Sequence, residues 1–174
     1  MIVRTIHWQK LFFFCLGLFV GTAFCMKWME SDFVLNGDIF TIIGLEKTYS
    51  REKVSAILTG LDSSVKNILQ YHLAFDFAFM VGVYPGIAAL CMLAREKYSS
   101  KILRNILFGL AALQTVAFVC DVVENIYLFN WIKNPEISSY DFSNYHIVVI
   151  TKWIIALTGA LMAIPLSLKR QKKI

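Results

Sequence analysis

The chain has 174 residues, of which 57% are hydrophobic, and a formal net charge of +5. Its mean hydropathy is +0.60, whereas a soluble domain is roughly 45 to 50% apolar. The composition therefore excludes an ordinary soluble domain and indicates an integral membrane protein. The positive charge predicts no nucleic-acid partner, because it comes from basic residues beside the apolar runs, where they anchor topology and attract anionic lipid.

Four apolar runs follow one another along the chain, at residues 11–26, 73–94, 106–131 and 147–168. Since about 20 helical residues cross a hydrocarbon layer of about 30 Å, each run is long enough for a span or nearly so. We predict an all-α fold, a polytopic four-helix bundle that forms one integral membrane domain over residues 1–174. The predicted spans lie at residues 9–27, 71–94, 104–131 and 145–168.

The first run has two interpretations. A basic start, an apolar centre and the small residues Gly21 and Ala23 also fit a cleavable signal peptide. Gly17 and Gly21 form a GxxxG spacing, which lets helices approach closely in lipid and favours a retained, packed span. The sequence leaves both alternatives open.

The basic residues predict the orientation of the spans. They cluster in the N-terminal segment, in the link between the second and third spans, and in the tail: Arg4, Lys10, Arg95, Lys97, Lys101, Arg104, Lys169, Arg170, Lys172 and Lys173. By the positive-inside rule, both termini face the cytoplasm and residues 28–70 lie outside.

The extracytoplasmic segment carries an amphipathic helical pattern. Ser50 is a suitable N-cap, and Gly60 is expected to break or bend the helix. Apolar residues recur at helical spacing at Val54, Ile57, Leu58, Leu61, Val65, Ile68 and Leu69. This pattern predicts a helix that lies on the outer membrane surface or covers the mouth of the bundle.

Charged residues inside three of the spans are the most informative feature. Counted at 1.5 Å per residue from the outer ends, Asp76, Asp121 and Glu124 share one level with Lys152, in the outer half of the bilayer. A charge in mid-membrane costs about 2.5 to 3.5 kcal/mol, so these groups are expected to converge and satisfy one another.

Further polar residues lie close to this level, and we include Asn125, Gln114, Tyr84 and His72 in the predicted cluster. Three acids against one lysine leave a surplus of negative charge, which predicts a bound proton or cation. Asp76, Asp121 and Glu124 are the candidate ligands if that cation is a metal. A network that only fixes helix packing is the alternative.

Two smaller patterns concern packing. Pro85 frees the carbonyl of Val81, and with Gly82 and Gly86 it predicts a bend that opens a cavity or exposes that carbonyl. The four cysteines lie in or at the edges of the spans without metal-type spacing, which favours packing roles: Cys15, Cys25, Cys91 and Cys120.

Several short motifs carry a resemblance. They are Asp76 followed by Tyr84, then D-x-x-E-N at 121–125, then TKW at 151–153, with IIGLEKTYSREKVSAIL ahead of them. In this order and spacing, the chain from Gly37 onward resembles a widespread group of small uncharacterised bacterial four-span membrane proteins. The resemblance implies a four-helix fold in the bacterial inner membrane, and it implies no reaction.

Three functions remain as hypotheses. The cluster could bind a proton, a cation or a small cationic ligand from the outer face, it could lock a scaffold subunit, or it could supply acid and base groups to a membrane enzyme. No catalytic residue or cofactor is indicated, because the common hydrolase, zinc and phosphate-loop motifs are absent from the sequence. The expected partners are the lipid bilayer and either a second copy of the chain or another membrane protein.

Overall fold

The computed structural model describes the backbone of residues 2–169 and the side chains of residues 6–169. The tail anchors Arg170, Lys172 and Lys173 and the side chain of Arg4 lie outside the described residues. The described chain contains α1 (Ile2–Met29), α2 (Arg51–Gly60), α3 (Ser63–Lys97), α4 (Lys101–Lys133) and α5 (Ser139–Leu168). The four long helices α1, α3, α4 and α5 form the predicted all-α bundle.

The outward faces of the four long helices suit a lipid environment. Each of these helices is long and apolar enough to cross a membrane. They expose large apolar side chains, among them Phe13 on α1, Phe75 on α3, Phe108 on α4 and Leu161 on α5. A monomeric soluble protein rarely exposes apolar patches of this extent. The chain is therefore a multi-pass membrane protein.

The most extensive helix contact joins α1 to α3, and it depends on α3 glycines. A Cβ added to Gly82 would lie 2.7 Å from Phe19 N and 3.0 Å from Cys15 O, so only hydrogen fits there. Gly17 and Gly21 have no atom within 4 Å of such a Cβ. The prediction that those two glycines of α1 form the packing surface is therefore wrong, and α1 instead contacts the GxxxG pair Gly82 and Gly86.

Helix α3 runs through Pro85 without ending. Proline cannot donate to the carbonyl four residues earlier, and the freed Val81 oxygen accepts a hydrogen bond from Cys15 Sγ of α1 at 3.7 Å. The carbonyl that the sequence predicts to be exposed is thus covered by α1.

Residues 30–61 form a compact unit at one end of the bundle, which we call the cap. It begins with a 3₁₀ turn, Glu30–Asp32, and a short hairpin of β1 (Val34–Leu35) and β2 (Asp38–Ile39). Val34 pairs with Ile39. Asn36 and Gly37, between the strands, have φ angles of 53° and 88°, as a two-residue type I′ turn requires. This hairpin is not among the elements predicted from the sequence.

The second half of the cap is helical. A single π-helical turn, Gly44–Thr48, is followed by α2, whose N-cap is Ser50 as predicted. Ser50 Oγ accepts a hydrogen bond from Lys53 N at 3.3 Å. The predicted amphipathic helix is divided, because Asp62 caps a new helix. The apolar residues of the predicted helix that follow Asp62 therefore belong to α3. Helix α3 thus begins before the predicted span.

The cap covers the mouth of the bundle. Its buried apolar side chains are Phe33, Phe40, Ile42, Leu45, Val54, Ile57, Leu58 and Leu61. They share one core with residues at the ends of α4 and α5, including Trp131, Tyr145 and Val149. We call this the cap end of the bundle. Burial of these apolar side chains explains why α2 packs against the bundle. The same burial stabilises the closed position of the cap.

Candidate functional site

Lys152 lies at the centre of a buried cluster near the cap end. Its Nζ is 2.7 Å from Asp121 Oδ1 and 2.6 Å from Glu124 Oε2. The exposed fractions of Asp121, Glu124 and Lys152 are 3%, 0% and 6%. The structure therefore brings together two acids of α4 and the lysine of α5, as their common depth in the sequence predicts.

Tyr84 of α3 joins this group through its hydroxyl. The hydroxyl donates a hydrogen bond to Asp121 Oδ2 at 2.7 Å, while Lys152 donates to Asp121 Oδ1 at 2.7 Å. Both oxygens of Asp121 thus accept short hydrogen bonds from strong donors.

Asp76 and Asn125 form a second pair between α3 and α4. Asn125 Nδ2 donates to Asp76 Oδ2 at 2.7 Å. Asn125 is 2% exposed, whereas Asp76 is only partly buried. Because an amide can donate to a carboxyl group without neutralising it, this contact leaves the charge of Asp76 uncompensated.

A fourth acid, Glu46, reaches the cluster from the cap, and it is not among the site residues predicted from the sequence. Glu46 Oε2 is 3.7 Å from Lys152 Nζ, with the Glu46 side chain 12% exposed. Trp153 Nε1 donates to the same oxygen at 3.2 Å. Of the predicted TKW motif, both the lysine and the tryptophan therefore contact Glu46.

The π-helical turn positions Glu46 over the bundle. Tyr145 of α5 donates from its hydroxyl to Leu45 O at 3.4 Å, which holds the turn against the end of α5. Gly44 permits the turn to close, because a Cβ at that position would collide with the Tyr49 ring.

The charge of the cluster is unbalanced. Asp76, Asp121, Glu124 and Glu46 are four carboxyl groups, and among the described residues Lys152 is the basic side chain that ion-pairs with three of them. Glu124 Oε2 lies 2.6 Å from Lys152 Nζ, and the Glu124 side chain also interacts with the carboxyl group of Glu46. Up to three negative charges are thus left without a basic partner among the described residues.

Burial raises the pKa of Glu46 above its ordinary value of 4.5. The positive charge of Lys152 opposes this rise in the pKa, and the negative charge of Asp121 adds to it. Desolvation is the largest of these effects, so closing the cap shifts the equilibrium of Glu46 toward its protonated form.

His72 and Gln114 stand apart from the cluster, so the structure corrects their predicted membership. His72 lies under the cap, with Nε2 3.9 Å from Glu30 Oε1 and its ring 5.3 Å from that of Phe33. Gln114 Nε2 donates instead to Leu110 O at 3.2 Å and to Ile155 O at 3.4 Å.

The predicted metal ligands do not form a metal site. Within residues 6–169, no group of three or more His, Cys, Asp or Glu side chains has an arrangement that could hold a metal ion. The position between Asp121 and Glu124 is filled by Lys152 Nζ. The arrangement of Asp76, Asp121 and Glu124 therefore gives no support to the metal alternative.

The residues of the cluster can bind and exchange protons, since they combine surplus carboxyl groups, an ammonium and a phenol within hydrogen-bonding distance of one another.

The bacterial four-span resemblance stays a prediction. Comparison of the chain with protein-family models, with curated proteins and with solved structures finds no match.

Proposed function

We propose that this chain is a proton-binding protein of the bacterial inner membrane, with its cap on the extracytoplasmic side. The observation that carries the proposal is the contact of Lys152 Nζ with three carboxyl groups, at 2.6, 2.7 and 3.7 Å, of which two are buried and the third, Glu46, is partly buried. One ammonium cannot neutralise these acids together with Asp76. The bacterial location and the orientation rest on the sequence motifs and on the basic residues of the links.

A proton suits the surplus charge better than a cation taken up from outside. An additional cation would have to share the site with Lys152, which already contacts Asp121 and Glu124. Carboxyl groups that crowd one another in low dielectric retain protons at a pH where isolated acids would lose them. Proton uptake thus neutralises the cluster without requiring any more space.

Movement of the cap would couple this proton to the outside. Glu46 is the acid that belongs to the cap rather than to a span, and Lys152 and Trp153 hold it in place. Loss of its proton adds a negative charge beside Asp121 and Glu124, which favours withdrawal of the cap. Proton binding reverses this effect, so we propose that the cap closes over the protonated cluster.

The melting temperature of the detergent-purified protein is expected to rise as the pH falls from about 8 to about 5.5. The ordinary pKa of a glutamate carboxyl group is 4.5, and the pKa of Glu46 in the fold is raised above it. At a pH between these two pKa values, the folded state binds more protons than the unfolded chain. Stability contributed by this proton is therefore present at low pH and is lost as pH rises through the window.

A Glu46→Gln variant is the matched test, because it imitates the protonated carboxyl group. It should be more stable than the parent at the higher pH and should show a flatter dependence of melting temperature on pH. Glu52→Gln, an exposed change in α2, is the control and should keep the parent slope. An unchanged slope in Glu46→Gln would contradict the proposal for this acid.

The orientation is tested separately by cysteine labelling of intact cells with a membrane-impermeant reagent. In a chain whose four native cysteines are replaced by alanine, Asp62→Cys should be labelled from outside and Lys101→Cys should not. Labelling of Lys101→Cys alone would reverse the proposed topology, without bearing on proton binding itself.

A scaffold role is the second candidate, because the cap is tied to the bundle by contacts beyond the cluster. Arg51 Nη1 donates to Ser139 Oγ at 2.7 Å, and Ser55 Oγ donates to Pro135 O at 2.7 Å. A scaffold would present this closed cap to a membrane partner or to a second copy of the chain. It predicts a melting temperature that is indifferent to Glu46→Gln at every pH.

A further inference from the structure

Asp76 differs from the spanning-helix acids of the cluster in its access to the surface. Its Oδ2 accepts the hydrogen bond from Asn125, while Oδ1, which has no hydrogen-bond partner among the described residues, is not closed off from the surface. Asp76 is partly buried, whereas Asp121 is 3% exposed and both oxygens of Glu124 are closed off. Asp76 therefore presents an oxygen that can be reached from outside the bundle.

Asp76 lies on the face of α3 that looks outward between α1 and α5. Val83, Leu90 and Lys97 follow it at every seventh residue, and a seven-residue step turns a helix by only about 20°. All four residues are partly buried, as residues along the bottom of a groove are. Leu90 and Lys97 line a groove whose walls are α1 and α5. The groove therefore leads along this face of α3 toward Asp76.

Lipid borders this groove, because α1 and α5 do not close over it. Helix α1 makes its extensive contact with α3, and α5 packs against α3 and α4. Phe13 of α1 and Ile164 of α5 line the groove and are 68% and 46% exposed.

The depth of Asp76 in the membrane is small. Tyr71, which is 66% exposed, lies nearer to the cap end by about 8 Å along α3. Tyrosine is typical of the membrane surface, so Asp76 lies a short distance inside the cap-side half of the membrane. The headgroup layer is therefore close to it.

The cap closes the other approach to the cluster. Lys152 holds the side chain of Glu46 in place, and the apolar core of the cap covers the ends of α4 and α5. Asp76 is coupled to the cluster all the same, because Asn125 connects it to α4 and because Asp121 and Lys152 act on it electrostatically. A proton on Asp76 thus affects the buried acids without any movement of the cap.

We infer that Asp76 is a proton port on the side of the bundle, which exchanges protons with the headgroup layer of the membrane along the groove between α1 and α5. This inference rests on the proposed proton-binding function and adds a lateral route to it. The proton enters at Oδ1, the oxygen that Asn125 leaves free. Exchange at this position does not wait for the cap to open.

Access from lipid is tested with two carbodiimides on the full chain in lipid vesicles. Dicyclohexylcarbodiimide dissolves in the membrane, whereas a carbodiimide that carries a quaternary ammonium group stays in water. A carboxylic acid adds across one C=N bond of either reagent, so that its proton goes to nitrogen and its oxygen bonds to carbon. The acyl group then migrates to nitrogen and forms a stable N-acylurea, with no leaving group.

We expect peptide mass spectrometry to find the N-acylurea of the apolar reagent on Asp76 and none on Asp121 or Glu124. Asp76→Asn should lose this label, and the exposed control Glu52→Gln should keep it. Labelling of Asp76 by the charged reagent at a comparable rate would show a route through water and overturn the lipid-side port. Absence of the apolar label from Asp76 would overturn it as well.

The rate of proton exchange is the second measurement. A stopped-flow jump from about pH 8 to about pH 5.5 is followed by tryptophan fluorescence, since Trp153 donates a hydrogen bond to Glu46. Asp76→Asn should slow the fluorescence change at least ~10-fold, because it removes a positioned proton-transfer group, and Asp76→Glu should restore the rate. Equal rates in Asp76→Asn and the parent would overturn the port and leave proton binding in place. A parent without any fluorescence response would contradict the proposed function itself, and the port with it.

Discussion

Replacing Lys152 with methionine is expected to destabilise the bundle by about 3 to 5 kcal/mol at a pH near 8, the usual cost of stranding a buried charge. Lys152 Nζ contacts three carboxyl groups, and the lysine is 6% exposed. Without the ammonium, these acids must either remain charged in a poorly solvated place or take up protons. The measurement is a melting curve of the purified chain in detergent.

The double variant Lys152→Met with Asp121→Asn is the control. Asp121 is the acid to which Lys152 donates a hydrogen bond, and asparagine keeps an oxygen that can accept from Tyr84. The double variant should therefore recover part of the stability that the single change loses. A single variant as stable as the parent, or more stable than the double, would remove the ion-pair assignment.

Replacing Gly82 with leucine should also cost at least about 1 to 3 kcal/mol, the typical penalty of overpacking. The new side chain would meet backbone atoms of α1, since even a Cβ would lie 2.7 Å from Phe19 N. Backbone cannot change rotamer, so α1 must move away from α3. We expect a lower melting temperature and faster proteolysis of the link after α1.

Gly21→Leu is the matched change on α1. A Cβ at Gly21 has no neighbour within 4 Å, and the residue is exposed to lipid, so leucine should be tolerated there. If Gly21→Leu were as harmful as Gly82→Leu, the pairing of α1 with α3 through the α3 glycines would be incorrect.

The spans and the shared level of Asp121, Glu124 and Lys152 are predictable because both follow from helix geometry. The rise per residue fixes depth in the membrane, and the cost of buried charge requires the groups to meet. Tyr84 could be included only as a neighbour, since its bond to Asp121 depends on the reach of a long side chain and on how α3 is rotated.

Glu46 could not be identified in this way, because its place in the cluster is a tertiary contact made by an irregular turn. In the sequence it stands beside Lys47, outside the spans, and looks like an exposed ion pair. Lys47 instead lies over the Trp153 ring, with Nζ 4.8 Å from the centroid. The signal that could have been used is the apolar run FTIIGL just before Glu46, which predicts a buried segment next to an acid.

The hairpin follows from local sequence and could have been predicted, whereas the choice of packing glycines depends on tertiary contacts. Asn36 and Gly37 are a strong turn signal when apolar residues flank them, so the sequence does contain the pattern that predicts the hairpin. A GxxxG pair occurs on α1 and again on α3, and spacing alone cannot show which pair faces a partner.

The position of the cap in the chain limits how far Glu46 can travel. The cap follows α1 directly and is joined to α3 at Asp62, and those two helices pack against each other. A carboxyl group held on such a tether returns to Lys152 as an intramolecular ligand, at an effective concentration in the millimolar range or above. Reclosure should therefore proceed at the same rate in dilute and in crowded membranes, and dissolved carboxylates well below that concentration should not displace Glu46 from Lys152.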